Sequence, residues 1–321
     1  MFKVHKIKGE SLGGLGIATK LQKWYSGITR QNVKTKERGD YMNYVLMNHK
    51  SCNGLGEKQA REWAEKLNEK EFVSVLDIKD MKAFFDNLKE DDVVYLSGGD
   101  GTLNHFANDL HGYCPKNQIY YVKSGSGNDF YHDAEDDAVD GVISLNKYLT
   151  NLPVVTINGV ERRFLNGIGY GIDGETCYQG DVIRATSDKP VNYSNIAIKL
   201  LLFNYKPHKA TITVDGKVSK YKDVWFASTM KGRYYGGGMM VAPAQDRFND
   251  AGTVSVVCVY KRDRIGTLLR FKSLFTGDHV KKADWCTVVE GKEVKVEFEA
   301  PCAIQVDGEV IPNVTSYTVR A

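Results

Sequence analysis

The sequence predicts an α/β protein with a Rossmann-like, three-layer α/β domain followed by a mainly antiparallel β-sandwich domain. Two observations support this prediction. Between residues 42 and 152, short apolar runs alternate with amphipathic stretches, which is typical of a parallel sheet covered by helices. From residue 153 to residue 321, strand-like runs dominate and turn pairs separate them, which is typical of antiparallel sheet. The cleft between the two domains is the expected site.

In the first domain, the apolar periodicity predicts strands and helices in alternation. The predicted strands are residues 44–47, 72–76, 93–96 and 119–122, and the predicted helices are residues 56–70, 80–88 and 103–110. The first helix has Ala60, Trp63, Ala64 and Leu67 on one face. In such a fold the carboxyl ends of the parallel strands meet at one edge, and ligands bind there.

In the second domain, Asn-Gly and Asp-Gly pairs punctuate the strand-like runs. The runs are residues 154–157, 163–167, 211–214, 224–229, 254–260, 293–298 and 304–306. Helical insertions are expected near residues 195–203 and 264–275. An alternative has the last strand returning to the first domain.

Residues 1–41 are a third segment, polar and basic, with a run rich in lysine and arginine between residues 30 and 38. We expect an extension with one short helix over residues 18–25 and little other regular structure. An ordered lid is the alternative.

The composition is that of a soluble globular protein, with 321 residues of which 42% are hydrophobic and 26% charged. The net charge of +3 is too small to indicate a nucleic-acid partner. The six cysteines show no C-x-x-C spacing, so we expect no zinc site and predict reduced thiols in a cytoplasmic protein. No apolar run approaches the ~18 residues of a membrane-spanning helix.

A glycine-rich turn with one carboxylate follows the strand at residues 93–96. Gly98, Gly99 and Gly101 let a ligand approach the backbone closely, and a turn that leads into a helix aims free N–H groups at an anion. Asp100 would repel a phosphate unless a cation lies between them, or unless it takes a proton from an attacking hydroxyl. An ordinary Asp-Gly turn is the alternative.

Four further segments place polar or acidic residues at predicted strand ends and turns, namely residues 48–54, 124–130, 166–173 and 306–309. Asp129, Asp173 and Glu309 would add carboxylates to the cleft, and Glu309 could act as a general base. Taken singly, these segments also fit glycine-rich loops or a hairpin turn. Since the sequence has no P-loop lysine motif, the set favours Mg²⁺-assisted phosphoryl transfer.

The order of these segments resembles the diacylglycerol kinase catalytic-domain family, especially its soluble bacterial lipid kinases. The matching motifs are residues 48–52, 98–102, 125–130, 166–173, 236–239 and 307–309, and the resemblance covers roughly residues 43–321. It implies a lipid kinase that transfers phosphate from ATP, with Mg²⁺, to a lipid hydroxyl. The expected reaction converts diacylglycerol to phosphatidic acid, in phospholipid biosynthesis.

The resemblance also implies the site residues. Glu309 and Asp100 are rivals for the catalytic base, Asp129 and Asp173 would complete an acidic network, and Asp100 would hold the catalytic Mg²⁺ with ATP. The loop around Asp250 would hold a structural Mg²⁺. The ATP-binding residues would be Asn48, Ser51, Gly98, Gly99, Asp100, Gly101, Thr102, Asn104 and Ser126.

Several residues depart from the family pattern. His49 stands in place of a proline, Cys52 in place of a glycine, Lys123-Ser124 in place of a pair that contains proline, and Ser126 in place of a threonine. Because none of these changes removes an acid, we expect catalysis to be retained with altered adenosine contacts.

Other functions and partners stay open from the sequence. The acceptor could be a sphingoid lipid or NAD, or the chain could be a non-catalytic nucleotide-binding regulator. Residues 261–275 could form a basic amphipathic helix that contacts a membrane surface transiently, with Arg264, Arg270 and Lys272 on its basic face. A core-facing apolar stripe is the alternative. A homodimer is possible, and no nucleic-acid partner is expected.

Overall fold

The computed structural model describes residues 41–51, 54–124, 128–187, 191–261 and 263–321. Tyr41–Ala321 forms one compact unit. Its strands form two large sheets and one short hairpin. The extension expected over residues 1–41 lies outside the described residues except for Tyr41.

The first sheet has six strands in the order β2-β1-β3-β4-β6-β5. The strands are β1 (Asn43–Met47), β2 (Lys70–Ser74), β3 (Val93–Gly98), β4 (Gln118–Lys123), β5 (Ala138–Val139) and β6 (Val142–Ser144). β1 pairs in parallel with both β2 and β3, and β3 pairs in parallel with β4. The winding direction therefore reverses between β1 and β3, and the crevice at their carboxyl ends is where such sheets bind ligands.

Helices cover both faces of this sheet. They are α1 (Gly56–Ala64), α2 (Met81–Asp86), α3 (Asp100–Asp109) and α4 (Asp129–Asp133). Val45 and Met47 of β1 pack with Ala60 of α1. Leu46, which points to the opposite face of the pleat, belongs to the core that contains Phe106 of α3. This arrangement confirms the three-layer α/β prediction.

The second sheet is antiparallel and contains nine strands. They are β7 (Val154–Ile157), β8 (Val160–Arg163), β9 (Gly167–Gly171), β10 (His208–Val214), β11 (Lys217–Met230), β14 (Val254–Tyr260), β15 (Cys286–Gly291), β16 (Glu293–Val306) and β17 (Glu309–Arg320). Between β11 and β14 lies the hairpin of β12 (Tyr234–Tyr235) and β13 (Met239–Met240).

Two long strands fold the second sheet over on itself. β10 pairs with the first halves of β11 and β16, whereas β9 pairs with their second halves. The pairing register shifts between Glu297 and Cys302 in β16. The two layers enclose an apolar core in which the rings of Tyr170 and Phe298 lie 4.2 Å apart. This arrangement confirms the predicted β-sandwich.

Four helices complete the second half of the chain. They are α5 (Ile172–Thr186), α6 (Tyr193–Lys199), α7 (Arg264–Arg270) and α8 (Ser273–Thr276), and a π-helical turn (Leu200–Asn204) follows α6. The expected insertions near residues 195–203 and 264–275 are present, whereas α5 was not predicted. Of the helices that the structure describes, none has both the length and the apolar run needed to cross a bilayer.

Tertiary contacts explain the boundaries that differ from the prediction. α1 ends at Ala64 rather than at residue 70 because Asn43 Nδ2 donates to the carbonyls of Asn68 and Glu69, at 3.1 Å each, and holds that segment outside the helix. β16 runs through both predicted strands, 293–298 and 304–306. The last strand, β17, pairs with β16 and β7 in the second sheet, not with the first sheet.

We expect Gly174→Ala to lower the free energy of unfolding by about 1–3 kcal/mol. A Cβ atom at Gly174 would lie 2.1 Å from the carbonyl oxygen of Ala303, so α5 would have to move away from β16. Urea unfolding measures the change. Val182→Ala on the exposed side of α5 is the control, and equal stability of the two variants would contradict close packing at Gly174.

Candidate active site

The turn between β3 and α3 presents backbone N–H groups to a cleft. α3 begins at Asp100, three residues earlier than expected, and Gly99 is its N-cap residue without a capping side chain. The first N–H groups of a helix have no partner inside it and favour an anion. Gly98 is required by close packing, because a Cβ atom there would lie 2.4 Å from Cβ of Thr102.

The cleft is the polar end of a cavity of about 710 Å³. Its polar end is lined by Asn48, Ser51, Gly99, Asp100, Gly101 and Thr102. Asn48 Nδ2 donates to Thr102 Oγ1 at 3.3 Å, which joins the ends of β1 and β3. The opposite end lies in the second domain and is lined by apolar side chains that include Ile172, Leu201, Trp225, Phe226, Leu274 and Trp285.

Asp100 orients the next loop rather than standing free. Its Oδ2 accepts the N–H of Asp129 at 2.8 Å, and its Oδ1 accepts the N–H of Phe130 at 2.8 Å. The amide of Asn166, from the second half of the chain, donates to Oδ1 at 3.1 Å. The carboxylate therefore joins the β3–α3 turn to two other segments of the cleft.

Asp129 in turn holds the Gly-Gly-Gly turn between β12 and β13. Its two oxygens accept the N–H groups of Gly237 at 2.9 Å and Gly238 at 2.6 Å. Gly236, Gly237 and Gly238 all have positive φ, between 64° and 103°, which side-chain-bearing residues rarely adopt. Burial, followed by the charge of Asp100, raises the pKa of Asp129 to about 7. The polar end thus carries negative charge that the described residues only partly compensate.

A third carboxylate, Asp307, is buried between α3 and the start of β9. It accepts the N–H groups of Leu165 at 2.6 Å, Asn166 at 2.9 Å and Gly167 at 2.8 Å, and the amide of Asn104 at 2.8 Å. Burial raises its pKa although four donors oppose this. From the sequence, Asp307 was expected only as part of a turn, and the Asp-Gly-Glu motif was the signal that could have identified it.

Two residues expected to bind ATP have other contacts. Asn104 donates to Asp307 and to the carbonyl of Arg163 at 3.2 Å, and it does not line the cavity. Gly98 does not line the cavity either, and its carbonyl accepts the hydroxyl of Tyr121 at 2.8 Å. Ser126 and Cys52 lie outside the described residues.

Glu309 lies at the polar end of the cavity between His105 and Arg162. Its Oε1 is 2.6 Å from His105 Nε2, and its Oε2 is 3.1 Å from Arg162 Nη1. His105, followed by Arg162, lowers the pKa of Glu309, and Glu309 raises the pKa of His105. Neither His105 nor Arg162 was identified from the sequence. His105 follows the glycine-rich turn on α3, but nothing in the sequence shows that it meets Glu309.

A buried cation supports Asp100 from the second domain. The guanidinium of Arg247 pairs with the carboxylate of Asp133, and Arg247 Nη2 donates to Asn166 Oδ1 at 2.7 Å. Asn166 then donates its amide to Asp100. Arg233 also pairs with Asp133, at 2.6 Å, so two cations share that carboxylate.

Asp173 lies in the same cavity but apart from the other acids. It is at the start of α5, and Gln305 Nε2 donates to its Oδ2 at 3.0 Å. Burial raises the pKa of Asp173 to about 6. The charges that act on Asp129 come from Asp100 and Asp307, so Asp307 rather than Asp173 is the third acid of that group.

The polar end fits one Mg²⁺ that is also held by phosphate oxygens. Asp100 and Asp129 are close, since Asp100 Oδ2 accepts the N–H of Asp129, and burial followed by the charge of Asp100 raises the pKa of Asp129. In the part of the chain that the structure describes, no three His, Cys, Asp or Glu side chains form a complete metal site. Mg²⁺ in kinases commonly uses one or two carboxylates and completes its shell with phosphates and water.

The loop around Asp250 does not fit the expected structural Mg²⁺. Asp250 is exposed, and the carbonyls of Asp246 and Thr253 each accept two side-chain amides. Gln245 Nε2 donates to both at 3.1 Å, and Asn249 Nδ2 donates to them at 2.7 and 3.0 Å. Amide nitrogens therefore take the place that a cation held by these carbonyls would need.

Two family models match successive parts of the chain. Residues 43–151 match the diacylglycerol kinase catalytic domain, and residues 166–319 match the YegS C-terminal NAD kinase beta sandwich-like domain. The first match contains the six-stranded sheet, and the second begins just before β9.

The chain is also similar to individual proteins. A diacylglycerol kinase of Mycobacterium tuberculosis is 25% identical over 222 residues, which cover 65% of this chain and 68% of that protein. A crystal structure of a diacylglycerol kinase from Bacillus anthracis has a TM-score of 0.54 at 16% identity, covering 89% of this chain and 95% of that one. At this identity the structural likeness shows the fold alone.

We expect Asp307→Asn to lower the free energy of unfolding by about 2–4 kcal/mol. An amide has one acceptor oxygen and would direct its NH₂ group toward backbone N–H donors that Asp307 now satisfies. Urea unfolding measures the loss. The control is Glu309→Gln, a half-exposed position where less than about 1 kcal/mol should be lost. If Asp307→Asn is as stable as the control, Asp307 does not hold α3 to the start of β9.

Asp173 should make the protein less stable as the pH rises. Because its pKa is about 6 when folded and 3.8 in the reference state, its stabilising contribution is complete below pH 4 and is lost as the pH rises through 6. Urea unfolding at pH 4 and pH 7 measures how far the free energy of unfolding falls between these two pH values. This fall should be smaller in Asp173→Asn by roughly 2–3 kcal/mol. Asp140→Asn, in an exposed turn, is the control, and an unchanged fall in Asp173→Asn would refute the assignment.

Proposed function

The chain belongs to the diacylglycerol kinase catalytic-domain family, and from this premise we propose that it is a lipid kinase that transfers the γ-phosphate of ATP to a lipid hydroxyl. Diacylglycerol is the proposed acceptor and phosphatidic acid the proposed product. The observation that carries the proposal is one continuous cavity. It joins the turn between β3 and α3, which we call the phosphate-type turn, to the opposite end with its apolar lining, which we call the apolar chamber. A lipid acceptor needs both environments, with its hydroxyl at the polar end.

The nucleotide would bind at the polar end. The first turn of α3 offers N–H groups to the phosphates, and Thr102, Asn48 and Ser51 add hydroxyl and amide groups beside them. Glycine at positions 99 and 101 leaves the approach to the backbone open. Ser126 stays a predicted phosphate contact.

Mg²⁺ would neutralise phosphate charge during transfer. Asp100 and Asp129 are the residues that would hold it, and both are already oriented by backbone N–H groups. Asn166 and Arg247 would keep Asp100 in place while the phosphates bind.

Glu309 is the proposed proton acceptor. Its carboxylate is ionised at neutral pH because His105 and Arg162 lower its pKa, so it can accept a hydrogen bond from the acceptor hydroxyl. As the new phosphorus–oxygen bond forms, the hydroxyl proton would move to a carboxylate oxygen of Glu309. Asp100, the rival base, has three donors on its oxygens and suits an orienting role better.

The apolar chamber would hold the acyl chains. Aromatic and aliphatic side chains line it, and such a lining suits hydrocarbon rather than a second nucleotide. This favours a lipid over NAD as acceptor. A lipid kinase also has to meet a membrane surface, at least transiently, and phospholipid biosynthesis is the pathway to which its product would contribute.

The acceptor can be tested directly. With γ-labelled ATP and Mg²⁺, we expect label on diacylglycerol in mixed micelles, in preference to monoacylglycerol, ceramide or sphingosine. NAD is the soluble control. Label on NAD alone would show that the acceptor is a soluble nucleotide and not a lipid. ATP binding without transfer to any acceptor would support a regulator instead.

We expect Asp100→Asn and Glu309→Gln each to lower turnover by about a hundredfold or more. The first would lose a charge beside the phosphates, and the second would lose the proton acceptor. Initial rates at saturating ATP measure the effect, and Asp140→Asn serves as the control. A near-normal rate in either variant would remove that residue from the mechanism.

A further inference from the structure

Four large apolar side chains are exposed around the second-domain end of the cavity. They are Phe203, Ile265, Leu269 and Phe275, and we call them the apolar rim. Phe203 is 76% exposed and Leu269 is 78% exposed. Single exposed apolar residues are ordinary, but a group on neighbouring elements marks a contact surface.

The apolar rim is built on segments that are fixed to one another. Arg264 Nη1 donates to the carbonyl of Leu201 at 2.6 Å and so joins α7 to the π-helical turn that carries Phe203. Ile265 and Leu269 are four residues apart on α7 and share one face. Thr267 and Leu268, on other faces of α7, are buried or half-buried. α7 is therefore apolar toward the core and also toward solvent.

The cavity opens beside the apolar rim. Ser194 of α6 and Phe275 of α8 both line the cavity and are both exposed. Leu201 and Leu274 lie deeper and are buried. A molecule that enters between α6 and α8 would thus pass from the rim into the apolar chamber.

The segments that carry the rim are basic, while Asp263 caps α7 and Asp284 pairs with Arg270. Residues 193–206 and 264–277 contain no Asp or Glu. Their basic residues are Lys199, Lys206, Arg264, Arg270 and Lys272. Basic residues around exposed apolar side chains complement an anionic membrane, where each cation near the surface contributes to binding.

We propose that the apolar rim docks on a bilayer that contains anionic lipid, and that the acceptor enters the cavity from this bilayer between α6 and α8. The docking surface stands on exposure, charge and the position of the cavity mouth, whereas the entry of an acceptor rests on the proposed lipid kinase function. The rim side chains insert among the acyl chains while the lysines contact the head groups.

Vesicle binding without nucleotide tests the docking surface. Vesicles of equal parts phosphatidylcholine and phosphatidylglycerol should sediment the protein, and phosphatidylcholine alone should sediment less of it. The double variant Phe203→Ser/Leu269→Ser should bind the mixed vesicles at least about tenfold more weakly, because two large apolar side chains no longer leave water. Its circular dichroism should match that of the unaltered protein, since both positions are exposed.

A matched control comes from the β10–β11 hairpin. Val218→Ser removes an apolar side chain that is 57% exposed in the β10–β11 hairpin and does not line the cavity. Vesicle binding of this variant should be unchanged. Absence of vesicle binding by the unaltered protein, or equal loss in the control and the double variant, would overturn the proposal.

Two further measurements distinguish a bilayer from a second copy of the chain as the occupant, and the docking surface from the kinase function. If the rim joins two copies of the chain instead, the double variant will change the sedimentation coefficient but not vesicle binding, which would overturn the proposal. Rim-dependent binding without phosphate transfer to any lipid would retain the docking surface and reject the kinase function. Lipid phosphorylation together with vesicle binding that does not depend on the rim would retain the kinase function and reject the docking surface. Transfer to a short-chain acceptor dissolved as monomers should be unaffected in the double variant.

Discussion

Carboxylates that accept backbone N–H groups hold the cleft together. Asp100 binds the start of α4, Asp129 binds the Gly-Gly-Gly turn, and Asp307 binds three consecutive N–H groups at the start of β9. A charged acceptor gives stronger hydrogen bonds than a neutral one, and its burial makes any lost donor costly. The loops of the site therefore have well-defined positions although few of their residues are in strands or helices. The same carboxylates leave negative charge beside the phosphate-type turn, which suits a site for Mg²⁺ and nucleotide.

The position of the cavity follows from the way the two sheets meet. The first sheet contributes the crevice between β1 and β3, and the second contributes β9, α5 and the short helices around the chamber. Gly171, with φ of 103°, passes the backbone of Trp225 so closely that a Cβ atom would lie 2.6 Å from its carbonyl oxygen. This close passage lets α5 begin directly at the end of β9, next to the cleft. Polar and apolar surfaces thus meet in one continuous space.

The sequence predicted the three-layer α/β arrangement, the β-sandwich and most of the strands, because alternating periodicity and turn pairs are local signals. It also indicated the residues that meet at the polar end, since motifs at the carboxyl ends of β1 and β3 share one edge of the sheet. It could not predict that Asn104 contacts Asp307, or that His105 and Arg162 enclose Glu309, because these contacts join residues far apart in the chain. α5 was missed for a related reason: its first residues follow a glycine-rich strand, and Gly174 packs against the backbone of Ala303, which is far away in the chain.

The hydrogen bonds of Asp100, Asp129 and Asp307 also bear on the order in which the molecule folds. Their partners are separated by 66 residues between Asp100 and Asn166, by 109 between Asp129 and Gly238, and by 203 between Asn104 and Asp307. Contacts with such long separations form late, because closing long loops costs entropy before any contact repays it. The first sheet has short loops and can form early, but its phosphate-type turn stays incomplete until the second sheet has closed. A ligand that binds the finished cleft would therefore stabilise only the fully folded chain and would slow its unfolding.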